Sequence, residues 1–176
     1  MSLDNKIYKG DVGTIFNLDA KVNIADATVH KISMLKPNNT KIDLNAWLTG
    51  SIGNIEIANA GSGYQVDDEL TVVYNGGSVG KLTVTAVDGS GAITAVEVYN
   101  GGSGYQIANN ITVTGGNGNG FVFNITSLAA ATILKYVIQP GEFDQAGVYK
   151  MQAYVETPSW KGRGETVSFE VFDIFQ

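Results

Sequence analysis

The side chains that carry most enzymatic chemistry are scarce in this chain. It has one histidine, His30, and no cysteine. Zinc sites and nucleophile–base pairs need several such groups to converge, so neither can be built here in its common form. His30 lies in the alternating run His30-Lys31-Ile32-Ser33-Met34 and reads as a structural or surface histidine. Asp67-Asp68-Glu69 is an acidic cluster, and carboxylates attract hard cations such as calcium. Its counterpart in an internal repeat is Ala108-Asn109-Asn110, so the charges are not repeated and the cluster reads as an exposed loop. Gly115-Gly116-Asn117-Gly118-Asn119-Gly120 has half the pattern of a calcium-binding β-roll, once only and with Asn119 where an acid is expected. It reads as a turn. The glycines open no helix, so no dinucleotide or phosphate loop is indicated. No nucleophile, base and oxyanion donors converge. The expectation is a non-enzyme, with no catalytic, cofactor or metal site assigned.

Contact chemistry is better represented. Aromatic residues are plentiful, among them Trp47, Tyr64, Tyr74, Tyr99, Tyr105 and Trp160. Trp160 sits in a turn-like segment beside Lys161 and Arg163, and these three are candidate interface residues. Tyr64 and Tyr105 occupy equivalent repeat positions and are candidates too, as paired stacking residues for a glycan.

The elements that must position these groups are strands. Apolar residues alternate with period two, and no convincing helix is found. Thr14–Leu18 reads as a strand. Val29–Lys36 and Lys41–Leu48 read as a hairpin around Pro37-Asn38-Asn39, with Ile42, Leu44, Ala46 and Leu48 on one face. Ile133–Ile138, Tyr149–Val155 and Val167–Val171 supply three more strands.

The middle of the chain is rich in glycine and holds a duplication. Ile55-Glu56-Ile57-Ala58-Asn59-Ala60-Gly61-Ser62-Gly63-Tyr64-Gln65-Val66 matches Val96-Glu97-Val98-Tyr99-Asn100-Gly101-Gly102-Ser103-Gly104-Tyr105-Gln106-Ile107, and the repeats extend over about 55–72 and 96–113. Each Gly-Ser-Gly turns the chain after a strand, and the tyrosine can fold back over it. Lys81–Val87 and Phe121–Ile125 would close each copy. One copy is too small to bury a core, whereas two packed with pseudo-symmetry are not. The fold predicted is all-β. Residues 1–49 plus 128–176 form an immunoglobulin-like β-sandwich, interrupted by an inserted, internally duplicated Gly-rich β module over 50–127.

Charge and composition narrow the class further. The net charge of −6 over 176 residues disfavours direct, sequence-independent binding to nucleic acid. The first residues show no signal-peptide pattern, and no apolar run approaches the ~20 residues of a membrane span. The expected site of synthesis is a cytoplasm, without membrane insertion.

Several segments together carry a family resemblance. They are Gly10-Asp11-Val12-Gly13-Thr14, Ala27-Thr28-Val29 leading into Lys36-Pro37-Asn38-Asn39-Thr40, Asp144-Gln145-Ala146-Gly147-Val148-Tyr149 continuing to Val155, and Gly164–Val171. The Asp144–Tyr149 segment is similar to the tyrosine corner of immunoglobulin-like domains, with Met151 where antibody domains have cysteine. The chain resembles immunoglobulin-like virion structural proteins of tailed bacteriophages: the N-terminal domain of baseplate upper proteins, and neck, collar or tail-associated proteins. The Gly-Gly-Ser-Gly-Tyr module also looks like β-repeats of phage virion proteins. The resemblance implies a virion component at the neck, collar or tail, present in multiple symmetric copies and bound to other virion proteins. A capsid decoration protein and a glycan-binding adhesion module acting on the host surface are the alternatives.

Overall fold

The computed structural model describes residues 6–175. Among the described residues there are fourteen β-strands and no helix. The chain forms two compact units. One comprises the residues up to Leu48 together with those from Thr132 onward; the other is Thr49–Ala131.

The first unit is a β-sandwich. Its strands are β1 (Ile7–Tyr8), β2 (Ile15–Asp19), β3 (Val29–Leu35), β4 (Lys41–Asn45), the start of β5 (Trp47–Ile52), most of β12 (Leu128–Val137), β13 (Gly147–Glu156) and β14 (Lys161–Phe172). One sheet has the order β1-β14-β13-β3-β4 and the other β2-β12-β5. This is the immunoglobulin-like arrangement, with G-F-C-C′ in one sheet and B-E-D in the other. β1 runs parallel beside the last strand, pairing Ile7 with Val171. The chain leaves for the second unit along the D strand and returns along the E strand.

Alternation builds the core. On β13, Tyr149, Met151, Ala153 and Val155 are buried, while Lys150 between them is exposed. Met151 pairs with Met34 and Ala153 with Ile32, so buried residues face the same side of both strands. Leu18 and Leu134 pair on the opposing sheet and belong to the same core. Each of the buried Leu, Ile, Met and Val side chains among these stabilises the fold by ~1.5–3 kcal/mol through burial. The hairpin expected over 29–48 divides: β4 ends at Asn45, and Ala46 hands the chain to β5 in the other sheet. Ala46 and Leu48 still reach the core, which is why alternation alone did not reveal the break.

The tyrosine corner is formed. The Tyr149 hydroxyl donates to the Gln145 carbonyl at 3.1 Å and accepts from the Gln145 N–H at 3.2 Å. Its ring packs edge-on against Phe143 and stacks on Phe169. Lys36 reaches Asp144 at 2.8 Å, tying the β3–β4 turn to the segment before β13.

The second unit has β6 (Ile55–Ser62), β7 (Glu69–Val73), β8 (Lys81–Val87), β9 (Ile93–Asn100), β10 (Ala108–Gly115) and β11 (Asn119–Ile125), in the order β6-β11-β10-β7-β8-β9. The edge strands β6 and β9 approach each other, so the sheet curls almost into a barrel. Residues 41 apart are equivalent in the two repeats, as Tyr64 and Tyr105 are. Exchanging the repeats gives the same strand order read from the other edge of the sheet. The pair Val72–Val113 maps onto itself, so a pseudo-twofold axis passes through it. Glu56–Asn124 maps onto Glu97–Thr83, and Ile57–Phe123 onto Val98–Leu82.

The pairing is exchanged between copies. The first strand of each repeat, β6 or β9, pairs with the last strand of the other, β11 or β8. The Gly-Ser-Gly-Tyr-Gln segment therefore crosses between non-neighbouring strands and is not a hairpin turn. Tyr64 and Tyr105 lock this crossing. The Tyr64 hydroxyl accepts from the Phe121 N–H at 3.3 Å, and Tyr105 accepts from the Gly80 N–H at 3.0 Å. Each bond joins one repeat to the other. Gly118 lies against the Tyr64 ring and Gly77 against the Tyr105 ring, where a Cβ would collide. The tyrosine backbones repeat the pattern: Tyr64 N–H donates to Gly91 and Tyr105 N–H to Gly50, both at 2.9 Å.

Removing either hydroxyl leaves a buried backbone N–H without its acceptor. Tyr64→Phe and Tyr105→Phe are each expected to lower the stability of the Thr49–Ala131 unit by about 1–3 kcal/mol. Urea unfolding measures this as a lower midpoint. An unchanged midpoint in both variants would contradict the cross-repeat role.

Candidate functional site

The candidate residues fall into two groups. Tyr64 and Tyr105 are buried, at 4% and 0% exposure, with their hydroxyls engaged by backbone. This corrects their assignment as contact residues. A ring enclosed on both faces has no surface to offer a sugar, so they do not form paired glycan-stacking sites.

Trp160, Lys161 and Arg163 remain at the surface, but not on one side. Trp160 ends the β13–β14 turn: the Thr157 N–H donates to its carbonyl at 2.7 Å, and its own N–H donates to Thr157 Oγ1 at 3.1 Å. The indole lies across Gly162, which has no side chain to exclude it. Side chains alternate along a strand, so this puts Trp160 on the opposite face of β14 from Lys161 and Arg163.

Lys161 and Arg163 belong to the outer face of the five-stranded sheet. Register places Lys161 beside Glu156, Arg163 beside Tyr154, Tyr154 beside Lys31, Gln152 beside Ser33, and Ser33 beside Asp43. The Arg163 guanidinium stacks over the Tyr154 ring at 4.7 Å and donates to Ser33 Oγ at 3.2 Å. Ser33 in turn donates to Asp43 Oδ1 at 2.7 Å. Tyr154 donates its hydroxyl to Glu156. Ser33 holds the Asp43 carboxyl below its usual range, helped by Lys41 and Lys31. Glu156 pushes the Tyr154 phenol up. The result is a fixed guanidinium, which suits bidentate recognition of a carboxylate. Beside it is an open cleft of about 280 Å³, lined in part by Ser33, Lys41, Lys150, Gln152, Arg163 and Thr166. Sequence reading missed Lys31, Lys41 and Lys150. The signal was present, since each is the polar partner in an alternating strand.

The remaining motifs serve architecture. His30 Nδ1 lies 2.6 Å from the Ala46 carbonyl, at the point where β4 gives way to β5. The Gly115–Gly120 segment caps β10 and β11 and is held by Asp68. One Asp68 oxygen accepts from the N–H groups of Asn117 and Gln65, both at 2.9 Å; the other accepts from the Asn117 side-chain amide at 2.6 Å. Glu69 pairs with Lys81 at 3.7 Å. No group of three metal-ligating side chains occurs among the described residues. No buried side-chain nitrogen or oxygen there lacks a hydrogen-bond partner.

Compared with protein-family models, curated proteins and solved structures, the chain matches none.

Asp68 gives the second unit a pH dependence. Its carboxyl is held below the usual range, first by the Asn117 N–H, then by the Gln65 N–H and the Asn117 amide. A carboxyl lowered by folding stabilises the folded state above its unfolded value, near pH 4, and loses that contribution as pH falls through the folded value. Asp68→Asn is expected to be less stable than the parent at pH 7 by about 1–3 kcal/mol. The gap should narrow below about pH 4. Urea midpoints of both proteins across this range check it; a constant gap would refute the assignment.

Proposed function

We propose that this chain is a non-enzymatic structural component of a bacteriophage virion, built into the neck, collar or tail and acting through protein–protein contacts. The observation that carries the reading is the combination of two β units in one chain. An immunoglobulin-like sandwich closes on its own tyrosine corner, and a pseudo-twofold barrel is threaded between its D and E strands. The segments that resemble phage virion proteins supply the C′ turn, the F strand and the G strand of that sandwich. The second unit offers apolar side chains to a partner: Tyr99 is 72% exposed, and Val66 and Ile107 are exposed at equivalent repeat positions. The fixed polar network around Arg163 gives the sandwich a patterned face of its own.

Purified particles provide the test. Mass spectrometry is expected to find the protein in intact virions, in several copies per particle. Antibody labelling should place it at the neck, collar or tail. Absence from purified virions would overturn the reading, and labelling confined to the head would replace it with a capsid decoration role.

A further inference from the structure

The charges of this chain are segregated. Thr49–Ala131 holds six acids, Glu56, Asp67, Asp68, Glu69, Asp88 and Glu97, against one cation, Lys81. That unit therefore carries five of the six net negative charges, and the sandwich is close to neutral. Within the sandwich, cations collect on one surface. Lys31, Lys41, Lys150, Lys161 and Arg163 share the outer face of β3, β4, β13 and β14, as their register shows. Three acids lie there too. Asp43 is engaged by Ser33 and sits 3.6 Å from Lys41, Glu156 takes the Tyr154 hydroxyl, and Glu170 pairs in register with Val148.

The acids of the second unit divide by what holds them. Asp68 is fixed by Asn117 and Gln65, Glu69 by Lys81, and Asp88 by the N–H groups of Ser90 and Ala92. Asp67 is also exposed and makes no side-chain contact of this kind among the described residues, but its counterpart in the other repeat is Ala108. Glu56 and Glu97 are different. They are the same residue at equivalent positions of the two repeats, both exposed, facing Asn124 and Thr83 across the strands. Neither makes an ion pair or a side-chain hydrogen bond among the described residues. The other identities retained between the repeats include the Gly-Ser-Gly-Tyr crossing and Asn59/Asn100, whose side chains accept from Gly61 and Gly102 and so have an architectural cause. The paired glutamates have none within the fold.

We propose that the occupant of the cationic sheet face is the acidic unit of a second copy of this chain, with Glu56 or Glu97 entering the cleft between Lys41, Lys150 and Arg163. The Arg163 guanidinium is already held by Ser33 and Tyr154, so a carboxylate meets it in a fixed orientation. The contact joins two different surfaces, so each added copy leaves one of each free, and the chains grow into a ring or a filament. The inference rests on the structural-component reading and names one partner within it.

Sedimentation velocity of the full chain tests this. At about 20 mM salt the protein should form concentration-dependent oligomers, and at about 500 mM these should dissociate, because the contact is screened. Glu56→Gln with Glu97→Gln should weaken association by about tenfold or more at low salt while leaving the urea midpoint unchanged at about 500 mM salt, where both proteins are monomeric. The decisive arm is a charge exchange. A Lys41→Glu, Lys150→Glu chain and a Glu56→Lys, Glu97→Lys chain should each be monomeric alone and should co-assemble into alternating oligomers when mixed. A parent chain that stays monomeric at low salt, or oligomers indifferent to salt and to these substitutions, overturns the inference. Detection in purified virions is a separate readout, so the two readings fail independently.

Discussion

A phenol buried away from water must find a partner for its hydroxyl. Three tyrosines meet that requirement by holding backbone, and both units of the protein are organised around them. Tyr149 fixes the segment that enters β13, the central strand of the five-stranded sheet. Tyr64 and Tyr105 each reach the backbone of the opposite repeat, so neither repeat can close without the other. The glycines at 77 and 118 follow from this, since the rings occupy the space their side chains would fill. The exchanged strand pairing follows too, because the first strand of each repeat is carried across to the last strand of the other.

Duplication explains why the second unit has two similar halves, and the departures from symmetry show where one half was adapted. Asp68 anchors the 115–120 segment, but its counterpart is Asn109. In the other half Tyr74 packs its ring on Tyr105, 5.6 Å away, where the symmetric position is Gly115. The two equivalent crossings are thus supported by different chemistry, one by a carboxylate and one by a second aromatic ring tilted against the tyrosine. The paired Glu56 and Glu97 were not altered in this way, although no group inside the fold holds them.

Much of the fold was legible in the sequence because a half-buried strand writes its burial into every second residue. The F strand, the C–C′ hairpin and the repeat itself follow from that alternation and from turn residues. Alternation assigns faces, not partners. It could not show that β6 pairs with β11 rather than with the strand that follows it. It could not show that Ala46 ends one strand and feeds another sheet, because Ala46 is buried in either case. The candidate site was less legible for the same reason. Trp160, Lys161 and Arg163 lie within four positions of sequence, yet the strand period sends Trp160 and Arg163 to opposite sides. Arg163 gains its role from Ser33, a residue 130 positions away that only the sheet register brings beside it.

The buried hydroxyls of Tyr64 and Tyr105 take backbone N–H groups across the pseudo-twofold axis. Amide hydrogen exchange followed residue by residue reads those groups directly. The N–H groups of Gly80 and Phe121, although one lies outside any strand, should exchange as slowly as the central residues of β7 and β10. Exchange at the rate of an exposed loop at these two amides would contradict the account.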